Sequence, residues 1–224
     1  MATSAPSSAT SAACCCEPAA PACEPAPGQA AVSTVVVARK GSTLAIASDS
    51  LVTFGETRLP PGYEANDKMF DVAGTVIGAV GSTAHLPVLR QALAQLPPDR
   101  VRLSSRDDIF ETFLELHPQL KDRFYLNTKE NDSDPYESSQ FSIVLANAHG
   151  IFGVESYREV FEFQRFWAIG SGRRFALGAM HAAYDRAKTA REVAMTGVLG
   201  GCEFDTSSAA PVRVQTFKLK TRKA

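Results

Sequence analysis

From residue 33 onward the chain alternates short apolar runs with turn residues, and then changes to apolar positions spaced three and four apart. Residues 35–38 and 44–47 flank a Lys40-Gly41 turn and predict a hairpin that leads to Asp49. Beyond a loop containing Pro60, Pro61 and Gly62, residues 68–72 and 75–80 repeat the pattern and end at Gly81-Ser82-Thr83, a second hairpin. Leu86, Leu89, Leu93 and Leu96 then fall at helical spacing, and Pro97-Pro98 closes that helix. Ser105, with Asp108 three residues on, supplies a capping signal for a second helix through Ile109, Phe113, Leu116 and Leu120.

The polar stretch 127–139 reads as a loop. Residues 141–145 and 151–154, joined by Asn147-Ala148-His149-Gly150, form a further hairpin. Helical segments over 175–186 and 190–199 precede a last strand at 212–219. The order is therefore sheet, helix pair, sheet, helix pair, strand. It suits an α/β (α+β) fold with two antiparallel sheets stacked face to face and helices on both outer faces, a four-layer αββα sandwich.

Composition limits the organisation. The 224 residues, 45% of them hydrophobic, suffice for one sizeable core and fall short of two. Residues 1–32 lack the large side chains a core needs and are expected to be a disordered or processed tail, leaving 33–224 as the folded domain. The first basic residue is Arg39, so the tail lacks the charged start of a secretory signal. Cys14, Cys15, Cys16 and Cys23 lie in the tail and Cys202 alone in the domain, where it reads as a small buried apolar residue. That distribution offers neither a disulfide framework nor a zinc knuckle, and a reduced, cytoplasmic setting is expected.

A net charge of −1 gives no support for a nucleic-acid or membrane-surface partner, and no run approaches the roughly 18 apolar residues of a membrane-spanning helix. A protein or peptide partner fits better. The four histidines fall in separate elements without metal-ligand spacing and read as surface or core filling. Neither a G-x-S-x-G elbow nor a phosphate-binding G-x-x-x-x-G-K-[ST] loop is present, and no metal or other cofactor is expected.

Ser33 is the residue with the most chemistry to offer. If the tail is absent from the mature protein, Ser33 carries a hydroxyl nucleophile and a free α-amine on one backbone unit. An amine with an ordinary pKa of about 7.7 to 8.0 is well matched to general-base work near neutral pH. The adjacent Thr34 is the alternative nucleophile. Read without that chemistry, Ser33 is a strand-edge hydroxyl and Asp49 and Lys68 a structural ion pair.

The polar residues on this frame resemble those of proteasome β-type subunits, closest to the bacterial forms that include HslV and the bacterial proteasome homologues. With Ser33 counted first, Asp49 stands at the spacing of the family's first catalytic acid, in the context Ala45-Ile46-Ala47-Ser48-Asp49-Ser50. Lys68, within Asn66-Asp67-Lys68-Met69-Phe70, matches the family's lysine, and Gly81 its oxyanion amide. Ile169-Gly170-Ser171-Gly172 resembles the Gly-Ser-Gly turn, and Asp205 with Ser208 the Asp-x-x-Ser pair. The resemblance covers essentially all of 33–224.

It implies an N-terminal nucleophile peptidase. Lys68, paired with Asp49, would ease charge on the hydroxyl oxygen, while Ser171, Asp205 and Ser208 would orient the amine and a water for acyl-enzyme hydrolysis. Val52, Thr53 and Ala79 would line the substrate pocket. The implied assembly is a homo-oligomer of two stacked rings, roughly fourteen subunits, that takes peptides or unfolded proteins and depends on a separate ATP-driven unfoldase for folded ones. Two features depart from the family pattern: serine replaces the usual threonine, and Val32 stands where self-processing precursors carry glycine. Translation starting at position 32, followed by removal of the initiator methionine, would leave Ser33 first without self-cleavage. The readings from other classes are a catalytically silent ring or scaffold subunit and a small-molecule amidase on the same fold.

Overall fold

The computed structural model describes Met1 and residues 33–54, 57–59, 63, 67–81, 85–128 and 136–220. The tail with its four cysteines, the Pro60-Pro61-Gly62 loop, Ser82-Thr83 and the basic residues beyond Lys220 lie outside the described residues.

β1 (Val35–Lys40) and β2 (Thr43–Ser48) form the first hairpin, extended on one side by β10 (Phe166–Ile169) and on the other by β11 (Arg213–Lys218) into a four-stranded sheet ordered β10-β1-β2-β11. β5 (Met69–Val72), β6 (Thr75–Val80), β7 (Ser142–Asn147), β8 (Gly150–Val154) and β9 (Val160–Phe163) build the five-stranded second sheet in chain order. Every pairing is antiparallel. A small hairpin, β3 (Val52–Phe54) with β4 (Thr57–Leu59), stands apart from both sheets.

Period-two alternation explains the stacking. Val35 and Val37 face a core shared between the sheets with Val144, Ala146 and Ile151, while Val36 and Ala38 face the opposite way. That outward side is covered by α3 (Arg173–Tyr184) and α4 (Ala190–Phe204) through Ala176, Met180, Ala194 and Val198. On the other sheet Ile77, Ile143 and Leu145 point outward, against α1 (His85–Gln95) and α2 (Arg106–Asp122) through Leu89, Leu93, Ile109 and Phe113. β1 is thus buried on both faces, which is why it reads as an unbroken apolar run. The four-layer sandwich anticipated from the sequence is the fold.

Local signals account for several boundaries. Ser105 Oγ accepts the Asp108 backbone N–H and caps α2, and Thr189 Oγ1 accepts that of Glu192 and caps α4. Three features differ from the sequence reading, the first being the β3–β4 hairpin in the stretch before residue 68 that was read as a loop. β9 and β10 were not anticipated, because the charged and polar residues Glu162, Gln164 and Arg165 interrupt their short apolar runs. Helix α4 continues past Leu199 to Phe204, since Gly200 and Gly201 let it lie directly against α3 and against Thr34.

Candidate functional site

The site lies where the start of β1 meets the end of β2, the residue preceding β5, the end of β6 and the turn after β10. Both Ser33 and Thr34 are buried. Thr34 is clamped to the end of β2: its N–H donates to Asp49 Oδ1 at 2.9 Å, and its carbonyl accepts the Asp49 N–H at 3.1 Å.

Asp49 has no solvent exposure, so its carboxylate depends on internal donors. Oδ1 accepts from Thr34 N and from Lys68 Nζ at 2.8 Å, and Oδ2 accepts the backbone N–H groups of Leu51 at 3.0 Å and Ala209 at 3.2 Å. Burial pulls the Lys68 ammonium below its ordinary value, and the Asp49 carboxylate opposes that pull. One buried ion pair thus fixes the end of β2, the segment that precedes β11 and the start of β5 around residues 33 and 34.

A second polar cluster approaches from the helix layer. Asp205, at the C-terminus of α4, accepts on Oδ2 both the Ser171 hydroxyl at 2.8 Å and the Ser208 hydroxyl at 2.6 Å. A hydroxyl has one proton to give. With that proton committed to Asp205, Ser171 Oγ acts as acceptor toward the Ser33 backbone nitrogen, 3.2 Å away. By the same logic Ser208 Oγ accepts from Thr34 Oγ1 at 2.7 Å.

Thr34 fills a cup formed by two helix-layer glycines: a Cβ at Gly172 would come within 2.0 Å of its Oγ1, and one at Gly201 within 2.4 Å. Gly170 serves Ser33 in the same way, because an added Cβ would lie 2.1 Å from the Ser33 carbonyl oxygen. Gly81, one residue past β6, has a φ of +121°, a conformation reserved for glycine.

The structure therefore brings Ser33, Thr34, Asp49, Lys68, Ser171, Asp205 and Ser208 into one connected hydrogen-bond network. Val52 is buried and Thr53 half-buried on β3, and Ala79 is buried on β6 with its N–H on the Lys68 carbonyl at 3.3 Å. Cys202, expected to be buried, is only partly so. Burial and the nearby Asp49 carboxylate push its thiol up to about 11.

Sequence reasoning missed what Thr34 and the glycines at 172 and 201 do together; the Gly-Ser-Gly and Gly-Gly pairs were the available signal. A cavity of about 620 Å³, lined by Arg39, Asp108, His149, Glu162 and Lys220 among others, lies at the opposite end of β1 and shares no residue with this network. Among the described residues, no group of three or more His, Cys, Asp or Glu side chains is arranged to hold a metal ion. No helix there is long and apolar enough to cross a membrane.

Thiobacillus denitrificans BPH is similar in structure over 84% of this chain: 38% identical with 98% of that chain covered, and 36% identical with 100% covered when solved in complex with epoxomicin. The TM-score is 0.76 in both cases. HslV from Trypanosoma brucei shares the fold at 20% identity and a TM-score of 0.59, over 83% of this chain and 99% of that one. No protein-family model and no curated protein matches the chain.

Proposed function

Because the chain belongs to the proteasome β-type and HslV-like family of N-terminal nucleophile hydrolases, we propose that it is a peptidase subunit whose mature form begins at Ser33. The observation that carries this reading is the contact between Ser33 N and Ser171 Oγ, whose own proton is committed to Asp205. An α-amine held there donates one N–H to Ser171 and keeps its lone pair for the neighbouring hydroxyl. As Ser33 Oγ attacks a peptide carbonyl, the amine takes the hydroxyl proton and passes it to the departing amine, leaving an ester on Ser33. Water, deprotonated by the same amine, then releases the acid.

Lys68, cationic beside Asp49, stabilises charge on the attacking oxygen, and the Gly81 N–H receives the carbonyl oxygen as it becomes an oxyanion. Val52, Thr53 and Ala79 border the substrate pocket, and their modest size leaves room for a sizeable side chain before the cut. The complex of BPH with epoxomicin supports a site of this type, through the identity of the two chains. Ser33 also has a φ of +148°, a region rarely occupied by residues other than glycine, and this torsion ceases to exist once the chain begins there.

Assembly into stacked rings follows from the same family reading. Phe175, Leu199 and Phe204 remain exposed on the outer face of α3 and α4, where a neighbouring subunit would cover them. Folded substrates would then need an ATP-driven unfoldase. The test is the intact mass of the protein from its native host, followed by turnover of a fluorogenic peptide by the wild type and Ser33→Ala. A chain starting at Ser33 whose turnover vanishes in Ser33→Ala is expected; a chain retaining residues 1–32 and cleaving nothing would replace this reading with the silent subunit.

A further inference from the structure

The end of the sandwich opposite Ser33 presents charged side chains from an anchored backbone. Asn147, buried at the end of β7, accepts the His149 and Gly150 N–H groups on Oδ1 at 2.7 and 3.2 Å and donates through Nδ2 to the Leu103 carbonyl at 2.6 Å. Past β11 the chain crosses from one sheet to the other: the Leu219 N–H meets the Ser42 carbonyl at 2.9 Å, and the Lys220 N–H the Ala148 carbonyl at 2.7 Å. The Arg39 N–H is held by the Arg165 carbonyl at 2.6 Å. His149, Lys220 and Arg39 are thus set in place by the fold, which lowers the ordering cost of binding. All three line the cavity of about 620 Å³, a volume within the roughly 300–1,000 Å³ of small-molecule sites. Phe152, which is buried, and Leu219 supply its apolar lining.

The charges around this cavity are not equally free. The Asp108 carboxylate accepts the Ser104 and Ser105 hydroxyls on Oδ2 at 2.6 and 2.9 Å, bonds that hold it below its ordinary pKa and keep it ionised beside His149. The side chains of Arg39 and Glu162 are linked only through Gln164, at 3.3 and 3.4 Å, and Lys220 has no ion pair among the described residues. A purely anionic ligand would meet Glu162, and a purely cationic one Lys220 and Arg39, without a counter-charge of its own; a ligand that carries both signs pairs with both. We propose that the cavity binds a zwitterionic short peptide with an apolar side chain: its carboxylate on Lys220 and the His149 ring N–H, its ammonium on Glu162, and its side chain against Phe152 and Leu219. The site shares no residue with the Ser33 network, and binding here does not depend on the peptidase reading.

The probe is leucyl-leucine, titrated calorimetrically into the full chain carrying Ser33→Ala, so that hydrolysis contributes no heat, and into the same chain with Lys220→Met or Glu162→Gln added. Both positions are exposed, so thermal unfolding should stay unchanged and checks that the variants fold. Saturable binding to one site is expected, weakened roughly tenfold or more by either substitution, the loss of one charge-assisted contact. Acetylating the amine or amidating the carboxylate of the dipeptide should weaken binding to a similar degree. Absence of saturable binding would overturn the proposal. So would an affinity that either substitution leaves unchanged, which would put the dipeptide elsewhere on the chain, or blocked dipeptides that bind as well as the free one, which would remove the charges from recognition.

Discussion

Thr34 Oγ1 lies 2.7 Å from Ser208 Oγ inside a fully buried cup, while the nitrogen of the preceding residue, Ser33, faces Ser171. Two adjacent hydroxyl residues thus have different surroundings, and only one is tied down by the helix layer. Thr34→Val, close in shape, should keep most turnover and lose about 1 kcal/mol of stability as the Ser208 hydroxyl loses its partner. Ser33→Ala should lose turnover with stability unchanged. Peptide assays with thermal unfolding of both variants decide the matter; an inactive Thr34→Val beside an active Ser33→Ala would reverse the assignment.

The pair formed by Lys68 and Asp49 differs in kind from the surface ion pairs, because neither partner is more than slightly exposed. Lys68→Met leaves a buried carboxylate held by three backbone N–H groups and no cation. The expected loss is about 3–5 kcal/mol in urea unfolding, accompanied by a fall in turnover of roughly 100-fold or more. Lys68→Arg should not restore activity, since the planar guanidinium does not fit a slot shaped for an ammonium. A Lys68→Met protein with wild-type turnover would remove Lys68 from the chemistry.

How far the sequence could be read follows from the range of the forces involved. The run Val35, Val36, Val37 announced a strand, and Ser105 and Asp108 a helix start, because both signals act within a few residues. The site residues were legible as a set through spacing: Asp49, Lys68, Ser171, Asp205 and Ser208 are scattered along the chain, and only a family pattern links them. What stayed hidden depends on contacts between layers. Nothing local to Thr34 says that Gly172 and Gly201 enclose it. Strands β9 and β10 were invisible for a related reason, each being stabilised by a neighbour in its own sheet, β8 for β9 and β1 for β10, rather than by its own pattern.

Gly170 offers a separate test of positioning. Its φ of +96° and the 2.1 Å approach of a would-be Cβ to the Ser33 carbonyl both exclude a side chain. Gly170→Ala must therefore displace residue 33 or the turn that carries Ser171. With the sheets intact, the protein should remain folded and lose roughly 100-fold in kcat, the scale of effect that a misplacement of about 1 Å produces. Circular dichroism and turnover measured together check this, and a fully active Gly170→Ala would show that the turn is not what places Ser33.

Cys202 should be a poor reagent target despite its place beside the site. With its thiol pushed up to about 11, only about one molecule in a thousand carries the thiolate at pH 8, and the thiolate is the reactive form. Alkylation by iodoacetamide, followed on the peptide containing Cys202 by mass spectrometry, should be far slower than that of an unfolded control and rise steeply as the pH approaches 11. Rapid labelling at pH 7.5 would contradict the burial and the opposing Asp49 charge that raise it.

Asp205 gives the clearest pH signature. Its carboxylate accepts hydrogen bonds from the Ser171 and Ser208 hydroxyls, and its negative charge favours the protonated form of an amine at Ser33. Asp205→Asn removes that charge, so the amine pKa should fall and the acid limb of the kcat/KM profile should move to lower pH. The same change frees the Ser171 hydroxyl to donate to the amine lone pair, which blocks the base. Maximal turnover should therefore drop by about 10- to 100-fold, within the range that general-base catalysis contributes. The two effects have opposite consequences at low pH, and that separates them: the ratio of wild-type to variant activity should shrink as pH falls below the wild-type acid limb. A profile displaced to higher pH, or unchanged in shape, would mean that Asp205 does not act on the base through Ser171.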